Sequence, residues 1–259
     1  MKKLAIIGGG VMAGYMGEAC HRLGYEGHYF TMADGKVDDS MVDYFHEVNI
    51  FDKDEIVEIC REIGVDGVVP TTELSVPITA YVADKLGLLG NSLEVAEVIT
   101  NKYRNRECIK HLTDLLSPKY VEATCVEDIN NSNVPYPMIL KPVCLGGKRG
   151  ITVVHSQKEL ASAFDYAAKS FRAGVKPLVI AEQFLDGGIE CSVESISFKG
   201  EHTIIQITQK DSSGAPHCVE LGHHQPAPLS SEEWDKVVKG VSSGLTAIGL
   251  TNGPCHTEI

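Results

Sequence analysis

Short apolar runs alternate with amphipathic stretches over the first ninety residues, and this restricts the possible folds more than any other feature. Residues 4–7 run apolar into Gly8-Gly9-Gly10, and a helix-like stretch over 11–23 closes at Gly24. Residues 28–32 read as a second strand. Residues 54–63 place Ile56, Ile59, Cys60 and Ile63 at helical spacing before Gly64. Residues 65–70 read as a third strand and 75–86 as a helix stopped by Gly87. Such alternation predicts a parallel sheet wrapped by helices.

The chain has 259 residues, more than one ordinary domain, so two or three units are expected. Hydrophobic residues make up 43% and charged residues 22%, which describes a soluble globular protein whose core needs no disulfide or metal. The net charge of -12 repels a phosphate backbone and argues against a general nucleic-acid binder. A nucleotide needs only a few local cations and is not excluded. The eight cysteines form no Cys-x-x-Cys pair and read as reduced thiols of a cytoplasmic protein. No apolar run is long enough to span a membrane. Met1-Lys2-Lys3 resembles the charged start of a signal peptide, but the glycine triplet ends the apolar run too early.

Further along, Asn91 and Glu94 fit a capping box that opens a long helix, expected to reach 116 before Ser117-Pro118. Its apolar stripe of Val95, Ile99, Ile109 and Leu112 also carries Lys102 and Arg106, which suggests a face opening onto a cleft. From 134 the pattern changes. Strands at 136–142 and 151–155 flank a glycine-rich turn and read as an antiparallel hairpin. A capped helix follows with Leu160, Phe164, Ala167 and Phe171 on one stripe. A strand at 178–184, an antiparallel pair at 190–198 and 202–209, and a helix capped by Ser230 and Glu233 come next. Residues 257–259 look like the start of one more strand.

Several constellations bear on chemistry. Gly8-Gly9-Gly10-Val11-Met12-Ala13 satisfies a dinucleotide pattern, yet Thr31 or Met32 stands where an acid belongs, and Asp34 comes 26 positions after Gly8. A tight packing turn and a phosphate-binding turn both remain readings. Lys141 ends an apolar strand, where a lysine either snorkels outward or meets an anion. It leads directly into Gly146, Gly147, Lys148 and Arg149, bare amides and cations suited to a polyphosphate, or else a solvated basic turn. The segment Glu182, Gln183, Phe184, Leu185 ends a strand and can offer backbone groups to a purine edge. Glu190, Ser192 and Glu194 share one strand face, solvated or pairing with ribose hydroxyls. His223 and His224 are neighbours on a strand and point apart, which argues against a shared zinc. Glu258 can hold Mg²⁺ against phosphates.

In this order and spacing the pieces resemble the ATP-grasp superfamily, closest to the L-amino-acid ligase branch, with carbamoyl-phosphate synthase-like enzymes sharing the frame. The resemblance implies an α/β and α+β architecture. A Rossmann-like pre-ATP-grasp domain at 1–90 and a linking helix at 91–117 would precede a two-lobed ATP-grasp domain, its small lobe at 118–185 and large lobe at 186–259. It implies an ATP-dependent carboxylate–amine ligase working through an acyl phosphate, with ATP and Mg²⁺ as cofactors. Lys102 and Lys141 match the phosphate lysines, and 146–150 the phosphate lid. Residues 182–185 match the hinge, with the backbone at Gln183 and Leu185 facing adenine. Glu190 matches the ribose carboxylate and Glu258 the first metal carboxylate. His223, with Arg149 as second choice, would contact the acceptor. The implied partners are small carboxylate and amine substrates, an amino acid among them, and a homodimer is one assembly considered. No nucleic acid and no membrane are expected. Family members continue past the first acid, whereas this chain ends one residue after Glu258. The expectation is therefore an incomplete site that binds ATP weakly without turnover. A non-catalytic or split-subunit nucleotide module, and an NAD(P)-dependent oxidoreductase, are the alternatives.

Overall fold

Strand β1 (Lys3–Ile7) is apolar on both faces, and this decides how the first hundred residues pack. Ala5 and Ile7 point into a cluster with Phe30, Ile56, Cys60, Ile78 and Val82, while Ile6 points the other way against Ala13, Cys20 and Tyr29. Both faces are therefore covered, as a parallel sheet requires. The computed structural model describes residues 1–10, 12–32, 42–171 and 176–259, which divide into two units, Met1–Thr100 and Asn101–Ile259. In the first unit β1 pairs in parallel with β2 (Glu26–Thr31) and β4 (Gly67–Pro70), and β2 pairs with β3 (Tyr44–Glu47) at the edge. Helix α1 (Met12–Leu23) covers one face; α2 (Lys53–Ile63) and α3 (Val76–Leu86) cover the other, followed by α4 (Leu93–Ile99).

Strand β3 is absent from the sequence reading. It is held by parallel pairing with β2 and by side-chain contacts across the pair, His28 Nδ1 with His46 Nε2 at 3.0 Å and Phe45 on Tyr29, rather than by apolar alternation of its own. The glycine-rich turn after β1 has a packing cause: a Cβ on Gly8 would stand 2.5 Å from Thr71 Oγ1. Asp34 lies outside the described residues.

The helix expected to run unbroken to 116 is two helices. Helix α4 stops at Ile99, and Asn101 turns extended and caps α5 (Lys102–Ile109) by accepting from the Arg104 N–H at 3.0 Å. The amide of Lys102 donates instead to the Val143 carbonyl at 2.9 Å, so a tertiary bond replaces a helical one.

The second unit carries two antiparallel sheets. In the first, β5 (Tyr120–Ala123), β6 (Met138–Pro142), β7 (Thr152–Val154) and β8 (Val179–Gln183) lie in the order β5-β8-β6-β7. Helices α6 (Val126–Asn130) and α7 (Gln157–Ala168) bury Ile129, Leu160, Phe164 and Ala167 against Met138, Leu140 and Ala181. In the second sheet, β9 (Cys191–Phe198), β10 (Glu201–Ser212), β11 (Glu220–His224) and β12 (Gly253–Glu258) lie in the order β11-β10-β9-β12, with α8 (Ser231–Ile248) following β11 in sequence. Among the described residues no helix is long and apolar enough to cross a membrane.

The turn between β6 and β7 depends on Gly150, at φ 70°, where a side-chain carbon would sit 2.5 Å from Ser170 Oγ and 2.8 Å from Pro142 Cγ. Gly150→Ala combines left-handed strain with a clash and should cost about 2 kcal/mol of stability, read as the shift in a urea unfolding midpoint. An unchanged midpoint would contradict this packing.

Candidate nucleotide and metal site

Strand β6 alternates, burying Met138, Leu140 and Pro142 on one face and leaving Ile139 and Lys141 on the other. The neighbouring strand β8 runs antiparallel and presents Glu182, whose side chain is 3% exposed. One Glu182 oxygen accepts from Lys141 Nζ at 2.7 Å, and the other from Arg106 Nε at 2.6 Å. Burial alone would push this carboxyl up; the two cations outweigh it and hold it at about 2. Lys141 is thus neither snorkelled nor stranded but fixed beside a buried carboxylate.

Past β6 the chain makes the glycine-rich turn. Lys102 Nζ donates to the Leu145 carbonyl at 2.9 Å, which straps α5 to this turn. Arg149 folds back, its Nε on the Gly146 carbonyl at 3.2 Å. Gly147 and Lys148 take left-handed conformations, and Lys148 Nζ reaches Glu190 Oε1 at 2.5 Å and Glu220 at 3.8 Å. Burial pushes the Cys218 thiol up, opposed by the charges of Lys148 and Lys141 and reinforced by that of Glu190.

At one end of the second sheet every strand supplies a charged group. Glu190 immediately precedes β9, Lys210 lies on β10, Glu220 opens β11 and Glu258 closes β12. Carboxylate oxygens of Glu190, Glu220 and Glu258 lie within 4.8 Å of one another. Lys210, with its side chain 3% exposed, donates to Glu220 at 3.0 Å and to Glu258 at 2.5 Å. Burial pushes the Glu258 carboxyl up, but Lys210 overcomes this and holds it low; the hydrogen bond from Lys210 chiefly lowers Glu220.

The predicted residues thus fall into two groups. Lys102, Lys141, Glu182 and the turn with Gly146, Gly147, Lys148 and Arg149 gather at the end of β6, and Lys148 connects them to Glu190 and the Glu258 end of the second sheet. His223 lies at the rim, 3.5 Å from Glu220, and His224 pairs with Asp211 at 2.9 Å, so the two histidines do use separate partners. At the end of β8 the Gln183 N–H is taken by the Lys119 carbonyl, and just beyond it the Phe184 N–H by the Pro137 carbonyl. Among residues 183–185, a backbone donor to a purine edge therefore has to come from Leu185. Glu190, Ser192 and Glu194 do not form one solvated row: Ser192 is buried and Glu194 pairs with His256 at 2.7 Å.

Sequence reasoning missed Lys210 and Glu220, and it noticed Arg106 without giving it a role. For Lys210 the expected strand stopped one residue short, at 209, whereas β10 continues to Ser212.

Two cation and carboxylate clusters on two antiparallel sheets are thus linked through Lys148. Residues 134–259 match the family model of the ATP-grasp domain. The chain is 24% identical over 261 residues to the formate-dependent phosphoribosylglycinamide formyltransferase of Prochlorococcus marinus, covering 96% of this chain and 65% of that protein. It is 25% identical over 256 residues to the alanine–anticapsin ligase of Bacillus subtilis, covering 90% of this chain and 53% of that one. The structure of the L-amino acid ligase from Bacillus licheniformis superposes with a TM-score of 0.84 at 28% identity, over 100% of this chain and 63% of its own. The α/β and α+β ATP-grasp fold expected from the sequence is the one observed. The chain spans less than two thirds of the length of these relatives.

Proposed function

We propose that this chain binds ATP with Mg²⁺ and supplies the nucleotide site of a carboxylate–amine ligase. The observation that carries the reading is the convergence of Lys148 and Lys210 on Glu190, Glu220 and Glu258, with Lys141 held by Glu182 at the start of the same glycine-rich turn. Phosphoryl transfer needs alignment and charge neutralisation more than covalent help. Lys102, Lys141 and the turn amides of Gly146 and Gly147 hold the α- and β-phosphates, and Lys148 moves from Glu190 onto phosphate. Glu190 is then released to the ribose hydroxyls, and the backbone at Leu185 meets adenine. With Glu190 at the ribose, Glu220 and Glu258 remain to fit a hard cation, since Mg²⁺ takes one or two carboxylates plus phosphate oxygens. When bound at Glu258, the ion neutralises charge building on the γ-phosphoryl group. The substrate carboxylate attacks the γ-phosphorus, giving an acyl phosphate and ADP. An amine then attacks the acyl carbon and releases phosphate. His223, at the rim beside Glu220, orients the acceptor. The ligase names of the relatives support an amino acid as one substrate.

A thermal-shift panel of ATP, ADP, GTP and NADH with Mg²⁺ tests the binding. A ligand specific for the folded state raises the melting temperature by mass action, and the expected response is to adenine nucleotides alone. A response to NADH without one to ATP would transfer the reading to the first unit.

A further inference from the structure

The acidic cluster already contains its own cations. Lys210 is anchored to all three acidic residues: its ammonium donates to Glu220 and Glu258, and its backbone N–H donates to the Glu190 carbonyl at 2.8 Å. Its side chain is 3% exposed, so it has no easy route into solvent. Lys148 covers the remaining acid, at 2.5 Å from Glu190, and lies 3.8 Å from Glu220. Three carboxylates and two ammonium groups leave one net negative charge. A divalent cation entering alone would overshoot neutrality in a half-buried place. Phosphate oxygens entering with it would place negative charge directly against the ion and the neighbouring lysine.

We infer that Lys210 is a resident counter-ion that keeps Glu220 and Glu258 assembled without a metal and makes divalent-cation binding conditional on nucleotide phosphate. This rests on the reading of Glu258 as a metal carboxylate. Without the lysine the acids would form an ordinary oxygen-ligand site, able to take a divalent ion by itself. With it, a like charge beside the ion opposes binding until phosphate oxygens arrive. Lys210 therefore acts as a positioning residue that sets the order of binding, nucleotide and metal together rather than metal first.

The test is Mn²⁺ binding to the nucleotide-free protein, followed by the electron paramagnetic resonance signal of free Mn²⁺. Lys210→Met is expected to bind Mn²⁺ at least ~10-fold more tightly than the parent, and Lys210→Arg, which keeps the charge, as weakly as the parent. Adding ATP should tighten Mn²⁺ binding to the parent and change Lys210→Met far less. Equal Mn²⁺ affinity in the parent and in a Lys210→Met protein of unchanged circular dichroism overturns the inference. If Lys210→Met does not fold, Lys148→Met decides in its place, with a smaller gain supporting the inference and no gain overturning it. The nucleotide-free comparison decides the role of the lysine even where ATP fails to bind. Failure of the ATP response itself falls on the nucleotide reading.

Discussion

Lys141→Met binds ATP–Mg²⁺ at least ~100-fold more weakly than the parent, a loss of about 3 kcal/mol that removes the nucleotide-induced rise in melting temperature at ordinary ligand concentrations. The size follows from the setting of the lysine. Its ammonium is held by Glu182 at the mouth of the glycine-rich turn, so its position is fixed before any phosphate arrives. A charge-assisted contact of this kind is among the stronger ones a nucleotide can make. Methionine keeps the stem that packs along β6, and Arg106 still covers Glu182. The ligand-free melting temperature should therefore move much less than the ligand response. Isothermal calorimetry with ATP–Mg²⁺ gives the affinity directly, and an affinity within threefold of the parent, a factor worth under about 1 kcal/mol, would remove Lys141 from the site.

Glu182→Gln should act on stability rather than on ligand alone. The carboxylate is almost fully buried and held at about 2 by two cations. A folded pKa below the unfolded value near 4.5 contributes stability above the unfolded value, and that contribution is lost as pH falls toward 2. The difference corresponds to about 3 kcal/mol at neutral pH. Glutamine removes the charge and leaves Lys141 and Arg106 facing each other across a neutral amide, so a loss of that order is expected at pH 7. The gap between parent and variant should be flat above about pH 5 and narrow steadily from about 4.5 downward. Urea unfolding at a series of pH values checks both size and slope. A gap independent of pH between 3 and 5 would show that the ionised carboxylate is not what stabilises the fold.

Much of this architecture was legible from the sequence because it follows from local rules. Ala5, Ile6 and Ile7 lie in unbroken apolar sequence because both faces of β1 are covered. Lys141, Lys148, Glu190 and Glu258 were visible as charges at strand ends next to glycines or a sheet edge. What was missed depends on distant partners. The break at Asn101 is fixed by the Val143 carbonyl, about forty residues on, and the capping capacity of Asn101 could not outweigh a continuous helical stripe. Strand β3 is four residues long and carries His46 and Glu47, so its apolar pattern is too weak to read. Lys210 carries no local signal in the sequence. Its meaning comes from the register that sets it opposite His223 and beside strands opening with Glu220 and closing with Glu258.

The distribution of those charges over four strands has a consequence for folding. A slip of one residue in any strand of that sheet turns its charged side chain to the opposite face. No hairpin, and no three strands, can assemble the full set. On the proposed function, competence to hold a nucleotide would therefore appear only when the last strand has zipped in correct register, and ligand capture would select against mispaired forms of the sheet.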